Sequence, residues 1–466
     1  MLFFTFLFLF CFTKENLIKV NKKEKESKRK LFERYGYTKI EKNKNENFYV
    51  DLFIGENNQK ISFILDLTSQ ITTTICDKIS NEKILLEYNN YYKFNNEKNI
   101  LNCKNEKCSF VYSDFLHCEN NNKNCSFTLS NNKNSSIEGI YINEYISFNK
   151  KEKGLIQLGC IKNENNFLKE KSGKGILGLG SSKYNFISNY IKNNNNNNNY
   201  EIFSICFDKI NGGYFSLGRI NETFHSKLDN ITYINYNIFG SYYNIKINYL
   251  EFGDEKHFNF NITYNSFLDS TFSYSIFPKA VYNYLFQSIN KLYFIDNKNI
   301  KIIKHDNFLC FDSNKNLNNI INQLPPFRII FEKNGIFFWR SNNYINYING
   351  KYCFGILEGN DNNFIFGNNF MFDYDFIFNL KEKKIGFIKS FCSMNEQLLY
   401  KECCNYHFYH FFFIIIIIIL ILINLFLFFV IRKLRKKESF LCFKYIGNNL
   451  LIENFPNAIV TSYNKI

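Results

Sequence analysis

Asp66 and Asp269 each close a short apolar run of one form, and that repeat constrains the fold more than any other feature of the chain. The first copy reads Phe63-Ile64-Leu65-Asp66-Leu67-Thr68-Ser69 and the second reads Ser266-Phe267-Leu268-Asp269-Ser270-Thr271-Phe272. One copy lies in each half of the sequence, which suits two lobes that each donate a carboxylate to a shared site. An Asp at a strand end, taken alone, reads as an ordinary turn residue. Two in matching contexts read as a pair. Two carboxyls forced together cannot both ionise, so one keeps a proton and the pair can polarise a water between them. Chemistry of that kind hydrolyses a peptide bond with no metal, no cofactor and no covalent intermediate.

The rest of the body fits this scheme. Between residues 48 and 392, short apolar runs are broken by Asn, Gly and Ser at intervals of about ten residues, the texture of an all-β body. Few segments carry a long 3.6-residue period, and the best short helix candidate is Pro278 to Phe286, with Pro at its first turn. Each acid is followed, roughly a hundred residues later, by an apolar run ending in Gly, which permits close backbone approach beneath a loop. These runs are Gly175-Ile176-Leu177-Gly178-Leu179-Gly180 and Phe364-Ile365-Phe366-Gly367. The Asn tract from Asn193 to Asn199 buries no apolar surface and reads as a solvated insertion in a loop.

Both ends of the chain differ from the body. Leu2 to Phe12 is almost wholly apolar and too short to span a bilayer, which reads as the core of a secretory signal over residues 1–13. Residues 14–47 hold the mixed Lys/Glu/Arg segment Lys19 to Lys30 and read as a solvated linker or short propeptide. Near the other end, Phe411 to Ile431 has Asn424 as its only polar member, enough for about 31 Å of helix. A transmembrane helix is therefore expected within 408–431, with a lone Asn tolerated in mid-span. The cluster Arg432-Lys433-Leu434-Arg435-Lys436-Lys437 then holds the tail, 432–466, on the cytosolic side. The outcome is a single-pass protein with a lumenal body in two lobes, 48–220 and 221–400.

A net charge of +15 invites a nucleic-acid reading. We reject it, because the chain is dominated by Asn, Lys, Ile, Phe and Tyr, whose A/T-rich codons account for much of the lysine. Of 14 cysteines, Cys11 lies in the signal and Cys442 in the tail, which leaves an even number on the lumenal side, as a disulfide framework requires. The cluster Cys103, Cys108, Cys118 and Cys125 lacks the ligand spacing of zinc ribbons and reads as bridges, not metal. Asn124, Asn134, Asn221, Asn230 and Asn261 begin glycosylation sequons. No His-x-x-x-His pair and no Gly-x-Ser-x-Gly turn is present, so metal-dependent and serine hydrolysis find no support.

Taken in order, these residues resemble the pepsin-type aspartic endopeptidases, and in particular their membrane-anchored, cysteine-rich branch of the secretory pathway. Phe48 to Gly55 with Gln59 is similar to the family's first strand and turn. Asp375 to Asn379 followed by Lys384 to Phe387 looks like its last hairpin, and Trp339 with Tyr344 ahead of Cys353 points to that branch. The resemblance implies a bilobal pepsin-like fold, Asp66 and Asp269 as the catalytic pair, and Leu67, Thr68, Ser69, Ser270, Thr271, Gly178 and Gly367 as supporting positions. It also implies a polypeptide substrate or partner in the lumen and residence in a secretory membrane, the endoplasmic reticulum.

The chain departs from the family where the loops meet. The family follows each Asp with Thr or Ser, whose hydroxyls cross-link the loops, and then with Gly. Here Leu67 lacks the hydroxyl, Ser270 keeps it, and Thr68 and Thr271 replace both glycines, which is expected to restrict backbone angles and crowd the substrate. The family's flap tyrosine has no counterpart, the nearest aligned residue being Asn131, and its loss weakens closure over a peptide. Three readings stand: an aspartic endopeptidase, a pseudoprotease that binds peptides or partners, and a disulfide-rich adhesive glycoprotein.

Overall fold

The structure, a computed structural model, describes residues 37–392 and 413–435, apart from segments 43–46, 104–107, 109–115, 119–123, 131–134, 171–174, 194–200, 290–300, 313–320 and a few shorter ones. The described residues fall into two units, the body and the C-terminal helix. The signal, most of the linker, Asn131, Cys403, Cys404 and most of the tail lie outside them, as does the Asn tract beyond Asn193.

The body is mostly β, as the texture of the sequence predicts. Phe48–Ile54 alternates buried and half-buried positions, so Phe48, Val50, Leu52 and Ile54 face the core while the intervening residues face outward. It turns back into Gln59–Asp66, pairing Val50 with Phe63 and Leu52 with Ile61. Gly175–Gly178 then lies parallel to that strand, Asp66 opposite Gly178, and Thr73–Ile75 packs antiparallel on its other side.

The second half repeats the same weave with different residues. Phe364–Phe366 lies parallel to the end of Glu255–Leu268, with Leu268 opposite Phe366, and Ser275–Pro278 packs antiparallel against it. Each return strand also meets a further parallel partner: Thr73–Ile75 meets Gly154–Asn165, and Ser275–Pro278 meets Ile356–Gly359. The repeat in the sequence is thus a repeat of topology.

A 14-stranded sheet draws on both halves, with Ile202–Asp208 antiparallel to Tyr374–Asn379. Its core is aromatic, with Phe203 and Phe378 stacked at 4.5 Å. The Cys206–Cys392 bridge and the buried pair His225 Nε2 to Asp375 Oδ2 at 2.8 Å fasten the connector and the last strand to that sheet. An 8-stranded sheet and a 4-stranded sheet complete the second half. Trp339 is fully buried there, donating from Nε1 to the carbonyl of Asn369 at 3.0 Å, and Tyr344 lies against it with ring centroids 5.8 Å apart.

The helix expected from Pro278 runs Lys279–Ile289, with Pro278 closing the preceding strand instead of opening the helix. Among the described residues five disulfides are formed: Cys76–Cys160, Cys103–Cys118, Cys108–Cys125, Cys206–Cys392 and Cys310–Cys353. In the other unit, Phe413–Arg435 forms a 23-residue helix whose apolar 18-residue stretch has mean hydropathy 3.6, long and apolar enough to cross a membrane. It runs on past Ile431 into the basic cluster, where cations favour the negative end of the helix dipole. Asn424 donates its side-chain amide to the carbonyl of Leu420 at 2.9 Å, so its polar group is satisfied within its own helix.

Candidate active site

Asp66 and Asp269 are both buried, at 3% and 6% exposure. The strand end delivers Asp66 into the interior: Phe63, Ile64 and Leu65 before it are all buried, and the chain turns as soon as the acid is passed. The carbonyl of Asp66 accepts from Leu179 N at 2.8 Å, and Asp269 N donates to the carbonyl of Phe366 at 2.9 Å. Each acid is therefore pinned by the glycine-ended run of its own half. A side chain at Gly178 would collide with the carbonyl oxygen of Ile71, and one at Gly367 with the carbonyl oxygen of Tyr274. Backbone fills those positions, so only glycine fits.

One hydroxyl joins the two loops. Ser270 Oγ donates to the carbonyl of Leu65 at 2.7 Å and accepts from Leu67 N at 3.0 Å. No reciprocal bond can come from Leu67, whose side chain is fully buried among the apolar core residues. The missing hydroxyl is thus replaced by packing.

Around the carboxylates the donors are local. Asp66 Oδ1 accepts from Thr68 N at 2.9 Å, Thr68 Oγ1 at 2.7 Å and Ser69 N at 2.9 Å. Asp269 Oδ1 accepts from Thr271 N at 2.8 Å and Thr271 Oγ1 at 2.7 Å. Ser69 Oγ turns away to the carbonyl of Ile71 at 3.0 Å. Neither Thr68 nor Thr271 has a positive φ, so the β-branched residues sit without backbone strain. Their hydroxyls point at the acids they follow.

Tyr242 is the residue sequence reasoning missed. It opens the strand Tyr242–Phe252 after the turn at Gly240, and its ring packs on Phe267 at 5.1 Å, two positions before Asp269. Its neighbour Ser241 accepts from Ser181 N at 2.7 Å, beside the run that pins Asp66. Burial pushes the Tyr242 phenol up, and the negative charges of Asp269 and then Asp66 push it further. One phenol thus senses both acids. Nothing in the local pattern Phe239-Gly240-Ser241-Tyr242 marks it, since only the fold brings it to the pair.

The sulfurs of Cys103, Cys108 and Cys118 lie within 4.8 Å of one another, close enough for metal ligands. Their proximity is that of two adjoining bridges, Cys103–Cys118 and Cys108–Cys125.

Comparison with known proteins agrees with this fold. A family model described as xylanase inhibitor N-terminal matches residues 48–219, and one described as xylanase inhibitor C-terminal matches residues 243–389. The chain belongs to the pepsin-like aspartic protease family. Plasmepsin V of Plasmodium falciparum is 26% identical over 149 residues, which is 31% of this chain and 24% of that protein. The pepsin-like fold recurs in solved structures. Basic 7S globulin from soybean superposes with a TM-score of 0.60 at 13% identity, covering 76% of this chain and 94% of that one. Conglutin gamma from lupine seeds gives 0.58 at 15% identity, covering 77% and 97%. At such identities the likeness is one of fold alone.

Proposed function

We propose that this protein is a membrane-anchored aspartic endopeptidase of the secretory pathway, in which Asp66 and Asp269 activate a water against a peptide bond. The observation that carries the reading is the join at Ser270: a single hydroxyl ties the backbone beside Asp66 to the loop of Asp269. In that site one carboxylate, ionised, takes a proton from the water while the other, protonated, donates to the scissile carbonyl. Which acid plays which part belongs to the pair. Water on one side and a polarised carbonyl on the other suit an extended polypeptide laid between the lobes.

The apolar opening of the chain, the 23-residue apolar helix and the five disulfides support a signal at 1–13, an anchor within 408–431, a lumenal body and a cytosolic tail at 432–466. The partial likeness to plasmepsin V supports placing the anchor in the endoplasmic reticulum. A second reading, a peptide-binding pseudoprotease, is favoured by Leu67 in place of a cross-linking hydroxyl and by family models whose descriptions are of inhibitors.

One experiment separates them. The full chain in detergent micelles is incubated with a diverse peptide pool between about pH 4 and 7, with and without a statine-containing peptide. Cleavage that the statine peptide blocks and that Asp66→Asn abolishes supports the endopeptidase. Statine binding without cleavage supports the pseudoprotease, and neither result overturns both.

A further inference from the structure

Thr68 and Thr271 occupy the two positions where the resemblance leads one to expect glycine, and each turns its side chain onto the acid two residues before it. The contact is the same in both halves. Backbone N and Oγ1 of the one threonine converge on one carboxylate oxygen, at 2.9 and 2.7 Å for Asp66 and at 2.8 and 2.7 Å for Asp269. A glycine would supply the N–H alone. The second donor therefore exists because this chain carries threonine, and it appears twice, independently, at unstrained φ.

A carboxylate oxygen that accepts from two donors is a good acceptor only while unprotonated. A proton placed there would face a hydroxyl and an amide that are both already donating. Hydrogen bonds to the charged form favour that form. We infer that Thr68 and Thr271 are positioning residues that clamp the Asp66 and Asp269 carboxylates through their hydroxyls, so that the pair holds its shared proton more loosely and works to lower pH than a glycine-bearing site. The inference rests on the endopeptidase reading for its catalytic meaning, though the clamp itself is a property of the folded chain.

Among the described residues, other titratable groups lie on the elements around the pair. From the strand Tyr242–Phe252 comes Tyr242, whose raised phenol stays neutral in the acid range. On the Asp269 loop itself is Tyr274, set edge-on to Phe308 at 5.0 Å. The pinning runs Gly175 to Gly180 and Phe364 to Gly367 carry no titratable side chain.

The test compares the full chain in detergent micelles with two double variants. Thr68→Val with Thr271→Val keeps the branched shape and removes the hydroxyls, whereas Thr68→Ser with Thr271→Ser keeps the hydroxyls. Affinity for a statine-containing peptide and the rate of cleavage are measured against pH, and so is the thermal midpoint Tm. The acid limb of binding and rate should move up by about one pH unit in the Val pair and stay with the wild type in the Ser pair. The sign in Tm follows from the donors depressing the folded-state pKa of the acids. Their contribution is present above the unfolded value, near pH 4, and is lost as pH falls through the folded one. The Tm gap between Ser and Val pairs should therefore be open above about pH 4 and close in stronger acid.

Coincident Tm curves, or a gap that does not change with pH, overturn the clamp even in an active enzyme. A chain that neither cleaves nor binds the statine peptide overturns the endopeptidase reading, while a gap that closes in acid still sustains the clamp. Should the Val pair not fold, Thr68→Gly with Thr271→Gly takes its place with the same expected shift.

Discussion

After Asp66 comes Leu67, fully buried in the core; after Asp269 comes Ser270, whose hydroxyl crosses to Leu65 and Leu67 of the other loop. The strands leading into the two acids, the parallel runs that pin them and the threonine clamps all match. The residue between acid and threonine does not. The residue after Asp66 contributes by burial of its side chain and the residue after Asp269 by two hydrogen bonds that tie both loops, yet the two halves share one arrangement. A duplicated fold can thus keep its geometry while the two copies exchange the physical source of their rigidity.

The largest expected effect tests the equality of the two acids. In the proposed mechanism neither acid works alone, so Asp66→Asn and Asp269→Asn should each lower kcat by about a thousandfold or more, read by peptide cleavage on folded protein. A variant of one acid that retains turnover would break the symmetry of roles. Next in size is the bridge Cys76–Cys160, which joins the end of the Asp66 return strand to its parallel neighbour across 84 positions. Replacing both cysteines with Ser should lower stability by about 2–5 kcal/mol in denaturant unfolding.

The loop contrast itself is sharpened by a matched pair. Leu67→Ala opens a cavity in a fully buried site and should cost about 3 kcal/mol. Ser270→Ala removes two bonds and leaves the buried Leu67 N–H without its partner, which should cost about 2 kcal/mol. Equal costs within error would mean that the two supports are equivalent in energy, whereas a cost near zero for Ser270→Ala would show that the inter-loop bond is incidental. The smallest effect lies in Tyr242. Removing either negative charge should let its phenol titrate at lower pH, with Asp269→Asn acting more strongly than Asp66→Asn because Asp269 contributes more to the rise. The difference in phenolate absorbance against Tyr242→Phe reports it.

Much of the architecture was legible from the sequence because it is written in short-range patterns. Alternation of period two marks Phe48–Ile54, an apolar run before each Asp marks a strand end, and Gly178 and Gly367 mark where backbone must approach backbone. The apolar stretch near the C-terminus likewise announces its helix, although the helix continues to Arg435 because a helix is ended by capping and solvation, not by loss of hydrophobicity. Threonine at the glycine positions was visible too, but read by propensity alone it spoke only of restricted backbone angles and a crowded site. In the folded chain the φ angles are ordinary and the hydroxyls find acceptors two residues away.

What the linear order of residues determined by itself was the kind of element at each place and the duplication of the whole. The tertiary structure alone decided which cysteines pair, which backbone atoms the Ser270 hydroxyl reaches, and that the Tyr242 phenol lies within the field of both acids. The reason is physical. Period and turn chemistry act between neighbours in the chain, whereas a hydrogen bond or a Coulombic shift depends on distance in space, and that distance exists only once two remote strands have been packed against a common core.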